Sequence, residues 1–189
     1  MTRQIETGLL VAVVGPSGAG KDTLMDAARA ALASDPGFVF LRRSITRPAE
    51  AGGEDHLPLS REAFLAERDA GRFALWWDAH GLLYGLPRDP LEDTLATGLV
   101  AVANLSRNIL ATAAETYPLR VIEVTASPHT LAARLANRGR EAATGRAQRL
   151  SREVPLPPGL PVERVMNDNT VEAGAARILQ ALRMASCPA

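Results

Sequence analysis

The 189 residues carry 21 Lys and Arg against 21 Asp and Glu, so the formal net charge is zero and nothing in the bulk charge draws the chain to nucleic acid or an anionic membrane. That length fits one sizeable core with subdomains rather than two independent domains. Its one cysteine, Cys187, leaves neither an internal disulfide nor a cysteine metal cluster, which fits a reducing cytoplasm, and no basic segment followed by a long apolar run marks a signal peptide or a membrane span.

The first predicted element is a strand over Leu9 to Val14, apolar, β-branched and stopped by Gly15-Pro16, which reads as a strand buried on both faces. A helix rich in Ala and Leu is predicted from Lys21 to Ala33. Between them "GPSGAGK" has the Gly-x4-Gly-Lys spacing of a phosphate cradle: consecutive backbone N–H groups and the start of a helix dipole meet the anion. Gly15, Gly18 and Gly20 permit the tight approach, Pro16, Ser17 and Ala19 complete the loop, and Lys21 reaches the β- and γ-phosphates of a nucleotide. ATP and Mg2+ are therefore the expected cofactors. Asp22 departs from the pattern, which has Ser or Thr after the lysine to ligate Mg2+. It is open to two readings, a hard oxygen ligand with Thr23 supplying a hydroxyl one position late, or an acidic first-turn residue favoured by the dipole.

Further strands are predicted at Val39 to Leu41, Leu99 to Ala103, Val121 to Val124 and Val162 to Met166, interleaved with helices, which implies parallel pairing and right-handed crossovers. Ser127 caps a helix that begins at Pro128 and runs into Gly139. Two stretches interrupt the alternation. Residues 44–90, with Gly52-Gly53, Pro48, Pro58, Pro87 and the adjacent Trp76 and Trp77, suit an inserted subdomain; "VPLPPGLP" at 154–161 is an extended connector. Asn104, Ser106 and Arg107 lie just beyond a strand's C-terminal end, where ligands bind in open α/β sheets, although Ser106 alone reads equally well as a helix cap. His56, His80 and His129 share no metal-ligand spacing. The tryptophans read first as core, and His80 beside Gly81 reads as an acceptor contact or a turn.

"GPSGAGKDTL", then "SITRPAEAGGEDH", "FALWWDAHGLLYGLP", "RLANRGRE" and "VMNDNT", in that order over roughly residues 9–180, resemble the guanylate-kinase-like family, and within it the ribose 1,5-bisphosphate phosphokinases of phosphonate breakdown. The resemblance implies an α/β, P-loop nucleoside-monophosphate-kinase-like three-layer fold: a five-stranded parallel sheet in a core of about 7–43 and 91–185, an acceptor subdomain of about 44–90 and an Arg-rich lid of about 138–150. It also implies that Ser44, Arg47 and Tyr84 hold the acceptor phosphate, that Asn104 and Arg107 contact the sugar phosphate, and that Arg138 and Arg149, first among Arg134, Arg138, Arg140, Arg146 and Arg149, close over the transferred group. Asn167 and Asp168 match the turn on the adenine side of ATP.

The departures from guanylate kinases point to a different acceptor. Their second arginine falls at Glu50, their first tyrosine at His56, the acid that reads guanine at Leu75 and the hydroxyl that reads it at Leu86. Burying a guanine edge against two leucines leaves its donors unpaired, at about 1–3 kcal/mol per group. The resemblance therefore implies phosphoryl transfer from ATP to ribose 1,5-bisphosphate, giving 5-phosphoribosyl 1-diphosphate, by a cytoplasmic enzyme with a small-molecule partner and neither nucleic acid nor membrane. Guanylate kinase and a non-catalytic binding module on the same fold are the rivals. A complete Gly15 to Lys21 loop speaks against the module, and "SITRP" with "YG" speaks against a gluconate- or shikimate-type kinase.

Overall fold

The computed structural model describes residues 8–51, 54–138 and 154–186, the side chains of residues 51, 135, 137 and 138 excepted. Five parallel strands form the central sheet in the order β2-β7-β1-β8-β9: β1 (Leu9–Val14), β2 (Phe38–Phe40), β7 (Val100–Asn104), β8 (Leu119–Thr125) and β9 (Val162–Met166). Side chains on β1 alternate between two cores, as the two-residue strand period requires. Val11 and Val13 pack with Leu24, Met25 and Ala28 of α1 (Lys21–Ala31) and with Ile178 and Leu182 of the C-terminal helix α6 (Val171–Ser186). Leu10, Ala12 and Val14 face the other way, onto Leu91 of α3 (Arg88–Ala96) and Leu110 and Ala113 of α4 (Leu110–Thr116). Sheet between helix layers is the expected three-layer arrangement, and each fully buried Leu or Ile contributes up to about 1.5–3 kcal/mol.

A second sheet, β4-β3-β6-β5, is built from β3 (Ser44–Ile45), β4 (Leu57–Pro58), β5 (Phe73–Ala79) and β6 (Leu82–Pro87). Helix α2 (Arg61–Asp69) covers its outer side: Ser60 Oγ accepts from the Ala63 N–H at 3.0 Å as cap, and fully buried Phe64 stacks on Phe73 with centroids 4.5 Å apart. His80 (φ 55°) and Gly81 (φ 76°) make the two-residue hairpin turn between β5 and β6, so the turn reading of His80 is the one the backbone adopts. The two tryptophans split: Trp77 is 6% exposed in the core, whereas Trp76 is 43% exposed under the Arg68 guanidinium.

Element boundaries shift by one or two residues from expectation. α1 stops at Ala31 rather than Ala33, because Asp35 Oδ1 takes the Gly37 N–H at 2.9 Å and turns the chain into β2. Helix α5 (Pro128–Arg138) starts where the cap predicts, with Ser127 Oγ accepting from the Thr130 N–H at 3.3 Å. The connector before β9 docks on β8, where Pro161 O accepts from the Val121 N–H at 2.9 Å.

Candidate active site

The donor loop lies between β1 and α1, and the strand beside it dictates its shape. Gly15 passes so close to β8 that a Cβ would meet the Val124 carbonyl oxygen at 2.1 Å, and Gly20 caps α1 at φ 82°. The Asn167 amide, 5% exposed at the end of β9, donates to the Ala19 carbonyl at 2.7 Å, and Arg134 of α5 reaches the same oxygen at 3.4 Å. Its Oδ1 finds no hydrogen-bond partner among the described residues. Asp168 accepts from the Ser127 N–H at 2.7 Å, which holds its carboxyl below the ordinary 3.8, with smaller help from Thr130. Gly18, Gly20, Thr23, Arg134, Asn167 and Val171 surround an open pocket of about 290 Å³ on this flank.

Asp22 faces the opposite flank. Its Oδ1 accepts from Lys21 Nζ at 3.3 Å and from Asn104 Nδ2 at 3.1 Å. Asn104, 5% exposed at the end of β7, donates also to Glu54, whose carboxylate takes the Arg43 Nε and Nη2 at 2.8 and 2.6 Å. A continuous polar chain thus runs Lys21, Asp22, Asn104, Glu54, Arg43 from the donor loop to the small sheet. The Arg43 guanidinium lies 5.0 Å from the Tyr84 ring centroid and 5.5 Å from that of Trp77, two rings that stack at 5.5 Å with an interplanar angle of 7°. Beside that ring pair, Leu75 and Leu86 are register partners, 2% and 0% exposed, in the apolar cluster with Leu91 and Leu105. The space left between Asp22, Asn104, Arg43 and Glu54 is about 20 Å³.

Arg47 lines a separate open pocket of about 510 Å³ with Thr46, Pro48, Ser60 and Arg61. Its Nε is buried without a hydrogen-bond partner among the described residues, a donor left in need of an acceptor. His56, 5% exposed, braces this arginine: its Nε2 lies 3.1 Å from the Arg47 carbonyl and its Nδ1 3.0 Å from the Glu54 carbonyl. Ser44 is buried in β3 against Gly85. Arg107 turns to Glu123 of β8 at 2.9 Å, a carboxylate shared with Arg164 of β9 at 2.6 Å. Arg149 and the side chain of Arg138 lie outside the described residues.

Among the described residues no group of three His, Cys, Asp or Glu is placed to hold a metal, and no helix is long and apolar enough to cross a membrane. A magnesium ion that also binds nucleotide phosphates needs only one or two protein carboxylates, and Asp22 beside Lys21, 36% exposed, meets that requirement.

Arg43 and Glu54 are absent from the residues singled out by motif. Glu54 stands inside "GGEDH" and Arg43 directly before "SITR", but their pairing across 11 residues, and the link from Glu54 to Asn104 across 50, have no periodic signature.

No protein-family model matches the chain. It is 50% identical over 170 residues to ribose 1,5-bisphosphate phosphokinase PhnN of Brucella melitensis biotype 2, covering 89% of this chain and 88% of that one. It is 48% identical over 182 residues to the Ruegeria sp. protein of the same name, covering 93% and 94%. A bifunctional ribose 1,5-bisphosphokinase-thymidine phosphorylase of Azorhizobium caulinodans is 49% identical over 178 residues, which cover 93% of this chain but only 26% of that protein. Guanylate kinase from Anaplasma phagocytophilum superposes with a TM-score of 0.68 at 20% identity over 97% of this chain and 88% of that one, which shows the guanylate-kinase-like fold.

Proposed function

Because the chain belongs to the ribose 1,5-bisphosphate phosphokinase family, we propose that it transfers the γ-phosphoryl group of ATP to the 1-phosphate of ribose 1,5-bisphosphate, giving ADP and 5-phosphoribosyl 1-diphosphate, a reaction of phosphonate catabolism. An oxygen of the 1-phosphate attacks the γ-phosphorus in line, and the bond to the β,γ-bridging oxygen breaks as ADP leaves. A sugar phosphate with a second pKa of about 6 is mostly dianionic at neutral pH, so the reaction needs no strong general base. Positioning and charge neutralisation carry the rate.

In this reading the amides of Gly15 to Gly20 and the Lys21 ammonium hold the β- and γ-phosphates. Asp22, with Thr23 as second choice, would hold Mg2+, which would supply charge neutralisation to the nucleotide phosphates. Asn167 holds the loop through Ala19, and with Asp168 and Arg134 forms the flank on which the adenine end rests. Arg47, held by His56, is proposed to meet an acceptor phosphate together with Tyr84 and Ser44, and Asn104 at the end of β7 and Arg107, which pairs with Glu123, are proposed to contact the sugar phosphate. Arg138 and Arg149 are proposed to close the site.

The observation that carries this reading, beside the family, is a complete phosphate loop together with Leu75 and Leu86, register partners buried among apolar side chains at the positions where guanylate kinases read guanine, which offer no group to a base edge. A coupled assay of ADP release tests it: turnover is expected with ribose 1,5-bisphosphate and not with GMP, and the reverse pattern removes the proposal.

A further inference from the structure

The geometry points to Arg43, fixed by Glu54, as the residue that sets acceptor selectivity. Its guanidinium covers the Trp77–Tyr84 ring pair on which a purine or pyrimidine would stack, so the cleft accepts a phosphorylated sugar and turns nucleoside monophosphates away. This inference rests on the sugar-phosphate reading above and adds to it the group that enforces the choice.

Three observations carry it. First, the rings of Trp77 and Tyr84, register partners on β5 and β6, lie parallel at 7° with centroids 5.5 Å apart, stacked on one another so that a base could stack only on the outer face of the pair, and Arg43 beside them is linked through Glu54, Asn104 and Asp22 to the donor loop. Aromatic platforms of this kind bind any base through its π-face. Second, the platform is taken: Arg43 stands 5.0 and 5.5 Å from the two centroids. Third, Arg43 is not free to swing aside. Glu54 grips its Nε and Nη2, the pair is 11% and 14% exposed, and Glu54 is itself tied to Asn104. A planar bidentate pair of this sort fixes orientation as well as charge.

Calorimetric binding of ribose 1,5-bisphosphate, GMP and AMP to the full chain, wild type against Arg43→Ala, Arg43→Lys and Glu54→Gln, tests the inference. Opening the platform in Arg43→Ala is expected to shift the affinity ratio of GMP to ribose 1,5-bisphosphate by about tenfold or more towards GMP, the scale of one base-stacking contact. AMP should follow GMP, because stacking reads the face and not the edge of the base. Arg43→Lys, which keeps the charge but not the plane, should shift the ratio too, and Glu54→Gln by a smaller factor. If Arg43→Ala does not fold, Glu54→Gln, equal in shape to the native residue, decides by the same criterion. An unchanged ratio in these variants overturns the inference, as does loss of ribose 1,5-bisphosphate binding without any gain of nucleotide, which would make Arg43 a direct ligand of the acceptor. Wild-type protein that binds no ribose 1,5-bisphosphate would sink the sugar-phosphate reading alone, since a gain of GMP binding by Arg43→Ala would still uphold the role of Arg43.

Discussion

The donor loop is held by backbone and the acceptor cleft by side chains. At Gly15 a single Cβ would strike the Val124 carbonyl oxygen at 2.1 Å, and the loop's other fixed point is the Ala19 carbonyl gripped by Asn167. Across the cleft, by contrast, Lys21, Asp22, Asn104, Glu54 and Arg43 are linked through side-chain atoms at nearly every step. A backbone cradle suits a group that does not vary, the phosphate chain of ATP. A side-chain lattice can be exchanged residue by residue, so it is where one fold acquires a new acceptor. The difference predicts that damage to the loop removes activity outright, whereas damage to the cleft redirects or weakens it.

The largest effect is expected for Lys21→Ala, which should lower kcat by about a hundredfold to a thousandfold or more while the fold persists, measured as ADP release. Near-normal turnover would break the donor side of the comparison. Gly15→Ala should destabilise the protein by about 2–3 kcal/mol in denaturant unfolding, since either β8 or the loop must give way. Asn167→Ala leaves the Ala19 carbonyl without its closest donor and should cost about 1–3 kcal/mol, with a higher KM for ATP and little change in the KM of the acceptor. On the acceptor side Tyr84→Phe should raise the acceptor KM by roughly threefold to tenfold and leave the KM for ATP alone, the size of one neutral hydrogen bond.

The smallest effect concerns Asp168. Its carboxyl is held below 3.8 chiefly by the Ser127 N–H, so its ionised form is favoured in the folded state. Stability from it is complete above the unfolded value and is lost as pH falls through the lower folded one. Asp168→Asn should therefore be measurably less stable than wild type at pH 7 and nearly equal to it well below pH 3.8, followed by thermal unfolding across that range.

The same contrast explains what could be read from the residues alone. Glycine spacing betrays a backbone device, so Gly15 to Lys21 and its setting between a strand and a helix were legible, as was the parallel sheet from the apolar runs at 9–14, 99–103 and 121–124. Leu75 and Leu86 were legible as losses, through resemblance, and they meet as register partners. The Arg43–Glu54 lattice was not, because Arg43 meets Glu54 beside the pairing of β3 with β4, and Glu54 meets Asn104 only once the end of β7 in the central sheet is brought to it. Asn167 was placed on the adenine side by motif; its hold on Ala19 depends on the close approach of β9 to the loop, which no local pattern records. Trp76 and Trp77 look alike in the sequence, and only strand alternation sends one to the core and the other to the surface.

Phosphorus NMR of the protein with ATP, Mg2+ and, in parallel, ribose 1,5-bisphosphate or GMP tests the central claim most directly. A pair of diphosphate doublets that grows only with ribose 1,5-bisphosphate, together with ADP, is the predicted result. GDP formed in the other sample, with the sugar bisphosphate unchanged, would contradict it.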